Sequence, residues 1–247
     1  MRTLGLVPID YVSHLRADAD RMARAVETGP LDAPVAACPG WDLRALVAHT
    51  GWVHRWANAA ASSGQRPEQT DFPAPGDADL ADWLRDGASD VAAALAAIDP
   101  DAPTWHVFPV ARVGRVWPRR QAHETALHRW DAEHAIGAAG PIDPQLASDG
   151  IDEYFEVMLP RLVARDGATL PEANIHLHCT DTAGEWTAHT ENGELRFTRE
   201  HAKGAAAIRG RAEDLLLAMW GRPTPDGALD IVGDRAVADA WLALGGL

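Results

Sequence analysis

Glu124 and His128 are two metal-ligating side chains that stand four residues apart in the stretch from Arg120 to Asp131. Residues at positions i and i+4 are neighbours on one face of a helix, so both could bind a single ion without a bend in the backbone. Two histidines and one carboxylate, with water in the remaining position, form a ligand set used by catalytic zinc. Because Glu-x-x-x-His is also common as an exposed polar pair, a third ligand is needed to support a metal site.

His49 is the candidate third ligand, because it lies within an apolar helical stripe and therefore points inward. A core histidine satisfied by one hydrogen bond would also explain this position. Downstream, Glu124 and His128 belong to a polar stripe that includes Arg120 and Asp131. A buried histidine facing a carboxylate and an imidazole is explained most simply by a shared cation. The apolar stripe around His49 consists of Ala45, Leu46, Trp52, Val53 and Trp56.

The acidic composition of the chain excludes several classes of partner. Its 247 residues contain 22 Lys and Arg against 36 Asp and Glu, a net charge of -14 that argues against binding to a phosphate backbone. No apolar run approaches the roughly 20 residues of a membrane span, and no charged-then-apolar leader opens the sequence. The two cysteines, Cys38 and Cys179, provide no disulfide framework. We expect a cytoplasmic protein that is a monomer or a weak homodimer. We expect it to bind neither nucleic acid nor membrane.

The first part of the chain shows helical periodicity interrupted by breaks rich in Pro and Gly. Asp10 and Asp42 can cap two of the helices, a loop is predicted over 65–76, and Pro118 suits the first turn of the fourth helix. Four amphipathic helices with such connections predict a bundle, a fold that commonly holds metal ions between facing helices. A further helix is predicted over 144–163.

Short segments of alternating polarity replace the helical pattern after about residue 165. Asn192-Gly193 between two of them is a strong signal for a hairpin turn. The sequence therefore predicts an α+β protein, with a helical bundle over 1–165 and a small α+β domain over 166–247. The strands predicted in the second domain are 174–180, 186–190, 194–198, 206–209 and 228–232, and its predicted helices are 212–220 and 234–244.

Four segments of the sequence carry a resemblance to a known family. Cys-Pro-Gly-Trp-Asp-Leu-Arg-Ala-Leu-Val-Ala-His-Thr-Gly over 38–51 and His-Glu-Thr-Ala-Leu-His-Arg-Trp-Asp over 123–131 resemble the mycothiol-dependent maleylpyruvate isomerase family, within the wider DinB-like group of metal-binding four-helix bundles. Leu-Leu-Leu-Ala-Met-Trp-Gly-Arg over 215–222 and Val-Gly-Asp over 232–234 are similar to that family's second, α+β domain. The resemblance covers nearly the whole chain and leaves the electrophilic substrate open.

The resemblance implies an enzyme in which His49, Glu124 and His128 bind zinc, or another divalent metal, and mycothiol is the small-molecule thiol. A zinc-bound thiol is deprotonated, whereas a free thiol with a pKa of about 8.5 is mostly protonated at neutral pH. Addition of the thiolate to maleylpyruvate would turn the cis double bond into a rotatable single bond, and elimination after rotation would give the trans isomer. With another electrophile the product would be an S-conjugate, so isomerase and S-transferase both remain open.

An anionic substrate or enolate also needs a cationic group. The resemblance implies an arginine in the second domain, and Arg222, in the Gly-Arg that follows the Leu-rich helix, is the best match. Arg209, Arg211 and Arg235 compete for this role. An exposed arginine that suits the dipole at the end of a helix is the alternative explanation of Arg222.

Cys38 and the stretch His176-Leu-His178-Cys179 also contain reactive side chains. Cys38 precedes Pro-Gly and is expected to pack behind the bundle. His176 and His178 share one face of a strand, so we expect them on a solvated or interdomain surface rather than in a second metal motif.

Two neighbours of the predicted ligands could support them without binding metal. His123 points about 100° away from Glu124 and is expected either to support the ligands from outside the coordination shell or to be exposed. Asp131 lies one turn beyond His128 and could orient its imidazole.

Two other functions remain open. A metal-dependent hydrolase would use zinc-bound hydroxide against an ester or amide and would need no thiol. A non-catalytic regulatory module would keep the bundle and its metal without turnover. The intact ligand set favours an enzyme.

Overall fold

The computed structural model describes residues 8–68 and 71–246, which separate into two compact units. Unit 1 comprises the described residues up to His106 together with Arg112–Gly140. Unit 2 comprises Val107–Ala111 and the described residues from Pro141 onwards. Within these residues the chain combines helices with a five-stranded sheet, so the predicted α+β class is confirmed.

Two predictions from the sequence concern segments that lie only partly within the described residues. The start of the chain, where we predicted no leader, includes residues 1–7, and the predicted loop over 65–76 includes residues 69–70; these positions lie outside the described residues. None of the helices within 8–68 and 71–246 is both long and apolar enough to span a membrane.

The described part of unit 1 is built on four long helices that form the predicted bundle. Both predicted caps are present, because the side chain of Asp10 accepts a hydrogen bond from the N–H of Ser13 and that of Asp42 accepts one from the N–H of Ala45. The first and second helices each pack against the third and the fourth. The helices are α1 (Tyr11–Thr28), α2 (Leu43–Ser63), α3 (Leu80–Ala97) and α4 (Val116–Ala135), with a short 3₁₀ turn at Asp77–Asp79.

Apolar side chains fill the interior of the bundle. Leu15, Leu46, Leu84 and Trp117 are fully buried and come from the four different helices. Gly51 permits a close approach of α2 and α3, because a Cβ atom at this position would lie 2.1 Å from the ring of Trp83.

A buried network of charges ties α4 to α1. Arg129 donates from Nε to Asp18 at 2.9 Å and from Nη1 to Glu133 at 3.0 Å, and Arg21 donates to Glu133 at 2.7 Å. Buried charges are stable only when they are paired in this way. α4 is buried around most of its circumference, and its buried residues include polar and charged side chains.

Unit 2 contains a sheet with the strand order β3-β2-β1-β4-β5. β1 and β4 are parallel, and the other neighbouring strands are antiparallel. Asn192 and Gly193, with φ angles of 53° and 79°, form the predicted hairpin turn between β2 and β3. The strands are β1 (Ile175–Cys179), β2 (Glu185–Glu191), β3 (Glu194–Thr198), β4 (Ala206–Gly210) and β5 (Asp230–Gly233).

The helix predicted over 144–163 consists of three consecutive segments. These are α5 (Pro144–Glu153), a π-helical turn (Tyr154–Met158) and α6 (Leu159–Asp166). Pro160 has no N–H to donate and its ring disfavours the regular helical turn before it, which accounts for the interruption just upstream. Further along the chain, the structure has α7 (Ala212–Met219), α8 (Arg235–Leu242) and a 3₁₀ turn at Ala243–Gly246.

The two compact units divide at residues 140–141, before the predicted domain boundary at 165–166. α5 packs on α7 in unit 2, so this helix groups with the sheet. Periodicity in the sequence marks where helices give way to strands, whereas contacts between elements define a compact unit.

Candidate metal centre

The carboxylate of Glu124 lies at the centre of a cluster in unit 1 that contains the three predicted ligands. Glu124 and His128 are one turn apart on α4, and Glu124 Oε1 lies 3.3 Å from His128 Nε2. His49 on α2 places its Nε2 atom 3.5 Å from the same oxygen. The second oxygen, Oε2, accepts a hydrogen bond of 2.9 Å from Arg120, which is buried. One carboxylate oxygen therefore faces both imidazoles while the guanidinium holds the other.

The spacing of these atoms fits a bound divalent metal. Ligand atoms that lie about 2.1 Å from a tetrahedral ion are roughly 3.4 Å from one another. The two separations between Glu124 and the histidines are 3.3 and 3.5 Å, and the three ligand atoms all lie within 4.8 Å of one another. The side chain of His49 is 34% exposed, so solvent or a small ligand can reach the cluster.

Neighbouring side chains orient both imidazoles. His128 Nδ1 lies 3.1 Å from Asp131 Oδ2, so the predicted contact between these residues is present. When Nδ1–H donates to Asp131, the lone pair of Nε2 points towards the cluster. Trp41 packs against His49 with the ring centroids 4.9 Å apart. The sequence reasoning missed Trp41, whose signal was its place in the Cys-Pro-Gly-Trp stretch.

The charges in the cluster depend on one another. Burial alone would lower the pKa of His128, but its contacts with Asp131 and Glu124 outweigh burial and raise that pKa to about 9. Burial alone would raise the pKa of Glu124, but the hydrogen bonds with His128 and His49 and the charge of Arg120 hold it well below its usual range. Without metal at neutral pH, the cluster therefore holds an ionised carboxylate beside a protonated His128.

Cys38 lies beside the cluster as well as against the apolar core. The expectation that it packs against the bundle is confirmed. In addition, its Sγ atom, a ring nitrogen of His128 and a carboxylate oxygen of Asp131 all lie within 4.8 Å of one another. This proximity leaves no local pattern in the sequence, because it joins Cys38 to two residues of α4 that are about 90 positions further along the chain.

Two further histidines of unit 1 are buried. His123 is 2% exposed and its ring lies edge-on to Tyr11, so the alternative that it is exposed is wrong. The reason is that α1 covers this side of α4. His54, which the sequence reasoning did not single out, is fully buried on α2, and its Nε2 lies 2.9 Å from Thr125 Oγ1.

In unit 2, His176 and His178 share one face of β1, as predicted. His176 is only 5% exposed, so the expectation of a solvated surface is wrong for this residue. The side chain of His178 is 32% exposed.

Comparison with known proteins gives the family of the chain. The model of the mycothiol maleylpyruvate isomerase N-terminal domain matches residues 12–133, and the model of the MDMPI C-terminal domain matches residues 145–240. The chain belongs to the mycothiol maleylpyruvate isomerase family. The predicted family is therefore confirmed, and with it the prediction of an isomerase-like enzyme.

Solved structures share the fold of this family member. A crystal structure of the mycothiol-dependent maleylpyruvate isomerase matches with a TM-score of 0.55 and 14% identity, over 94% of this chain and 95% of that chain. The crystal structure of a histidine-to-alanine mutant of a mycothiol-dependent maleylpyruvate isomerase matches with a TM-score of 0.54 and 13% identity, with the same coverage. No curated protein matches the chain.

In this member of the mycothiol maleylpyruvate isomerase family, Arg222 follows α7 and lines an open cavity of about 580 Å³ in unit 2. Its Nη1 donates to the carbonyl of Trp220 at 2.9 Å, and its guanidinium lies 5.9 Å from the centroid of the Trp220 ring. Arg235 lines the same cavity and pairs with Asp239 at 2.8 Å. Of the other competing arginines, Arg211 pairs with Asp181 at 3.4 Å, and Arg209 lies on β4.

Proposed function

We propose that this protein catalyses the mycothiol-dependent cis–trans isomerisation of maleylpyruvate or a closely related unsaturated, anionic substrate. The observation that carries the proposal is the convergence of His49, Glu124 and His128, with both imidazole Nε2 atoms 3.3–3.5 Å from one carboxylate oxygen. The matching families and the solved relatives of the same fold, both named for mycothiol and maleylpyruvate, supply the substrate class.

His49, Glu124 and His128 would hold a divalent metal, and zinc suits two imidazoles and one carboxylate. When bound, such an ion stabilises the thiolate form of a coordinated thiol at neutral pH. Its binding requires loss of the proton that His128 carries in the metal-free protein.

The other residues of the cluster have supporting roles in this proposal. Arg120 fixes Glu124 Oε2, so Oε1 stays directed at the two imidazoles. Asp131 keeps the proton of His128 on Nδ1, and Trp41 limits the rotation of the His49 ring. Arg222 is proposed to bind a carboxylate of the anionic substrate, because a guanidinium can pair with a carboxylate through two parallel hydrogen bonds.

Turnover of maleylpyruvate with and without added mycothiol tests the proposal. We expect trans product only when mycothiol is present, and none from a His128→Ala variant under the same conditions. Equal turnover without thiol would favour a metal-dependent hydrolase. A stable S-conjugate as the end product would indicate an S-transferase. If neither maleylpyruvate nor a model electrophile reacts, the result would favour a non-catalytic metal-binding module.

A further inference from the structure

A second group of histidine and carboxylate side chains lies on one face of the sheet in unit 2. His176 and His178 alternate with Ile175, Leu177 and Cys179 along β1, so the two histidines share a face. Glu185 on β2 is directly opposite His178 in the antiparallel register and points to that same face. The sheet pairing therefore places two imidazoles and one carboxylate together.

A third histidine reaches this face from the segment that connects β3 to β4. The strand order requires residues 199–205 to cross β2 and β1 between the two strands. The hydroxyl of Thr187 donates to the carbonyl of Glu200 at 3.2 Å, and the side chain of Asn174 donates to the carbonyl of Lys203 at 3.2 Å, so the crossing segment is held against the sheet. This crossing places His201 over the histidine face.

The geometry of the group is that of a metal site. Ligand atoms of His176, Glu185 and His201 all lie within 4.8 Å of one another. His201 Nδ1 lies 3.2 Å from Glu185 Oε1, and the rings of His176 and His201 are nearly perpendicular with centroids 4.8 Å apart. His178 Nδ1 contacts the same Glu185 oxygen. This arrangement repeats the two-histidine, one-carboxylate donor set of unit 1.

His176 provides an independent indication of a ligand. Its side chain is almost completely buried, and its Nε2 atom has no hydrogen-bond partner within the described residues. Buried polar atoms without a partner are rare and costly, and a bound ion is one of the recognised explanations. The side chains of Glu185 and His201 are 30% and 74% exposed, so an ion can enter from solvent.

We propose that His176, Glu185 and His201 form a second site for a divalent transition metal, and that His178 positions the carboxylate of Glu185. Imidazole nitrogens select zinc, cobalt, nickel or copper over magnesium and calcium, which prefer all-oxygen ligands. An ion at this site links the crossing segment over 199–205 to β1 and β2. The site is separate from the cluster around Glu124, and its existence does not depend on the isomerase activity.

Zinc binding to the full chain tests the site. In a His49→Ala/His128→Ala protein, which lacks the cluster of unit 1, equilibrium dialysis against Zn²⁺ should give about one equivalent per chain. Adding His201→Ala should remove this equivalent, and His189→Ala, on β2 outside the cluster, should not. His201 is an exposed side chain, so its removal should leave the circular dichroism spectrum unchanged.

The same comparison in the wild-type background covers the case in which the double variant fails to fold. There His201→Ala should lower bound zinc by one equivalent, whatever the occupancy of unit 1. Zinc content that is the same with and without His201→Ala in a folded protein would overturn the proposal.

The role of His178 is tested separately, by measuring the affinity of the protein for zinc. His178→Ala should keep the stoichiometry of zinc but raise its Kd by about 10- to 100-fold, the scale expected when a ligand loses its supporting contact. His178→Gln, which can still donate to Glu185, should restore most of the affinity. An unchanged Kd in His178→Ala would show that Glu185 needs no positioning by His178.

Discussion

Asp131 Oδ2 lies 3.1 Å from Nδ1 of His128, and the carboxylate of Asp131 is buried. Because this contact fixes the proton on Nδ1, it leaves Nε2 as the atom that faces Glu124 at 3.3 Å. The two acidic residues therefore act on opposite nitrogens of one imidazole. Asp131 sets the orientation of the ring, and Glu124 shares its proposed ion.

Replacing Asp131 by Asn keeps the shape of the side chain and an acceptor for Nδ1–H but removes the negative charge. We expect Asp131→Asn to retain metal at the unit 1 site while its zinc affinity falls about 10-fold or more, because the imidazole becomes a weaker ligand. Competition with a chromophoric chelator measures this change. Asp86→Asn, at an exposed position on α3, is the control. Equal affinities of wild type and Asp131→Asn would exclude a role for this charge.

The three proposed ligands should be needed together. His49→Ala, Glu124→Ala and His128→Ala are each expected to lose about one equivalent of divalent metal relative to wild type, as measured by elemental analysis after purification. His134→Ala is the matched control, because His134 lies on the same helix but is exposed and stacks on Trp130. Wild-type metal content in all three ligand variants would refute the site.

The stability of the protein should depend on pH through His54. Burial lowers the pKa of His54 from 6.5 to about 4. Its hydrogen bond with Thr125 fixes the tautomer, because the Thr125 hydroxyl already donates to the carbonyl of Gln121 at 2.8 Å and must accept from His54 Nε2–H. The proton would therefore have to bind at Nδ1, which is buried and has no hydrogen-bond partner within the described residues. The folded protein thus resists protonation at Nδ1, whereas the unfolded chain takes up this proton below pH 6.5.

As pH falls from 6.5 to about 4, this group should lower the free energy of unfolding by about 3 kcal/mol, with no further effect at lower pH. Urea unfolding across this range measures the slope. His54→Gln cannot bind the proton and should show a shallower dependence, whereas His134→Gln should follow wild type. Parallel pH profiles for wild type and His54→Gln would contradict the assignment.

The sequence predicts those parts of the fold that local chemistry determines. Asp10 and Asp42 mark two helix starts because a side-chain oxygen can satisfy a free N–H within three residues. Asn192-Gly193 marks a turn because both residues tolerate positive φ. The pair Glu124 and His128 is visible because helical periodicity places them on one face.

Other features depend on contacts between distant segments and leave no local pattern. One partner of Arg129, Asp18, lies more than a hundred residues away in the chain, and nothing in the sequence around either residue identifies the other. The sequence predicts a surface position for His176, because the alternation of side chains along a strand does not reveal which segment crosses the sheet. The π-helical turn before Pro160 is a partial exception, since the proline predicts a disturbance but not its form.

Arg222 is the residue of unit 2 that we expect to act on the substrate. Arg222→Met keeps much of the apolar stem but removes the charge. We expect metal content and folding to be unchanged, because the proposed ligands of the Glu124 cluster all lie in unit 1. Catalytic efficiency, measured as kcat/KM for maleylpyruvate with mycothiol, should fall roughly 100-fold or more, the scale of losing one preorganised electrostatic contact.

Arg235→Met is the matched control for this prediction, because Arg235 lines the same cavity but pairs with Asp239 at 2.8 Å. It should retain near-normal kinetics. The reverse result, with Arg235→Met impaired and Arg222→Met normal, would assign the substrate contact to Arg235. Normal kinetics in both variants would leave Arg209 and Arg211 as the remaining candidates in unit 2. A loss of metal in Arg222→Met would contradict the separation of metal binding from substrate binding.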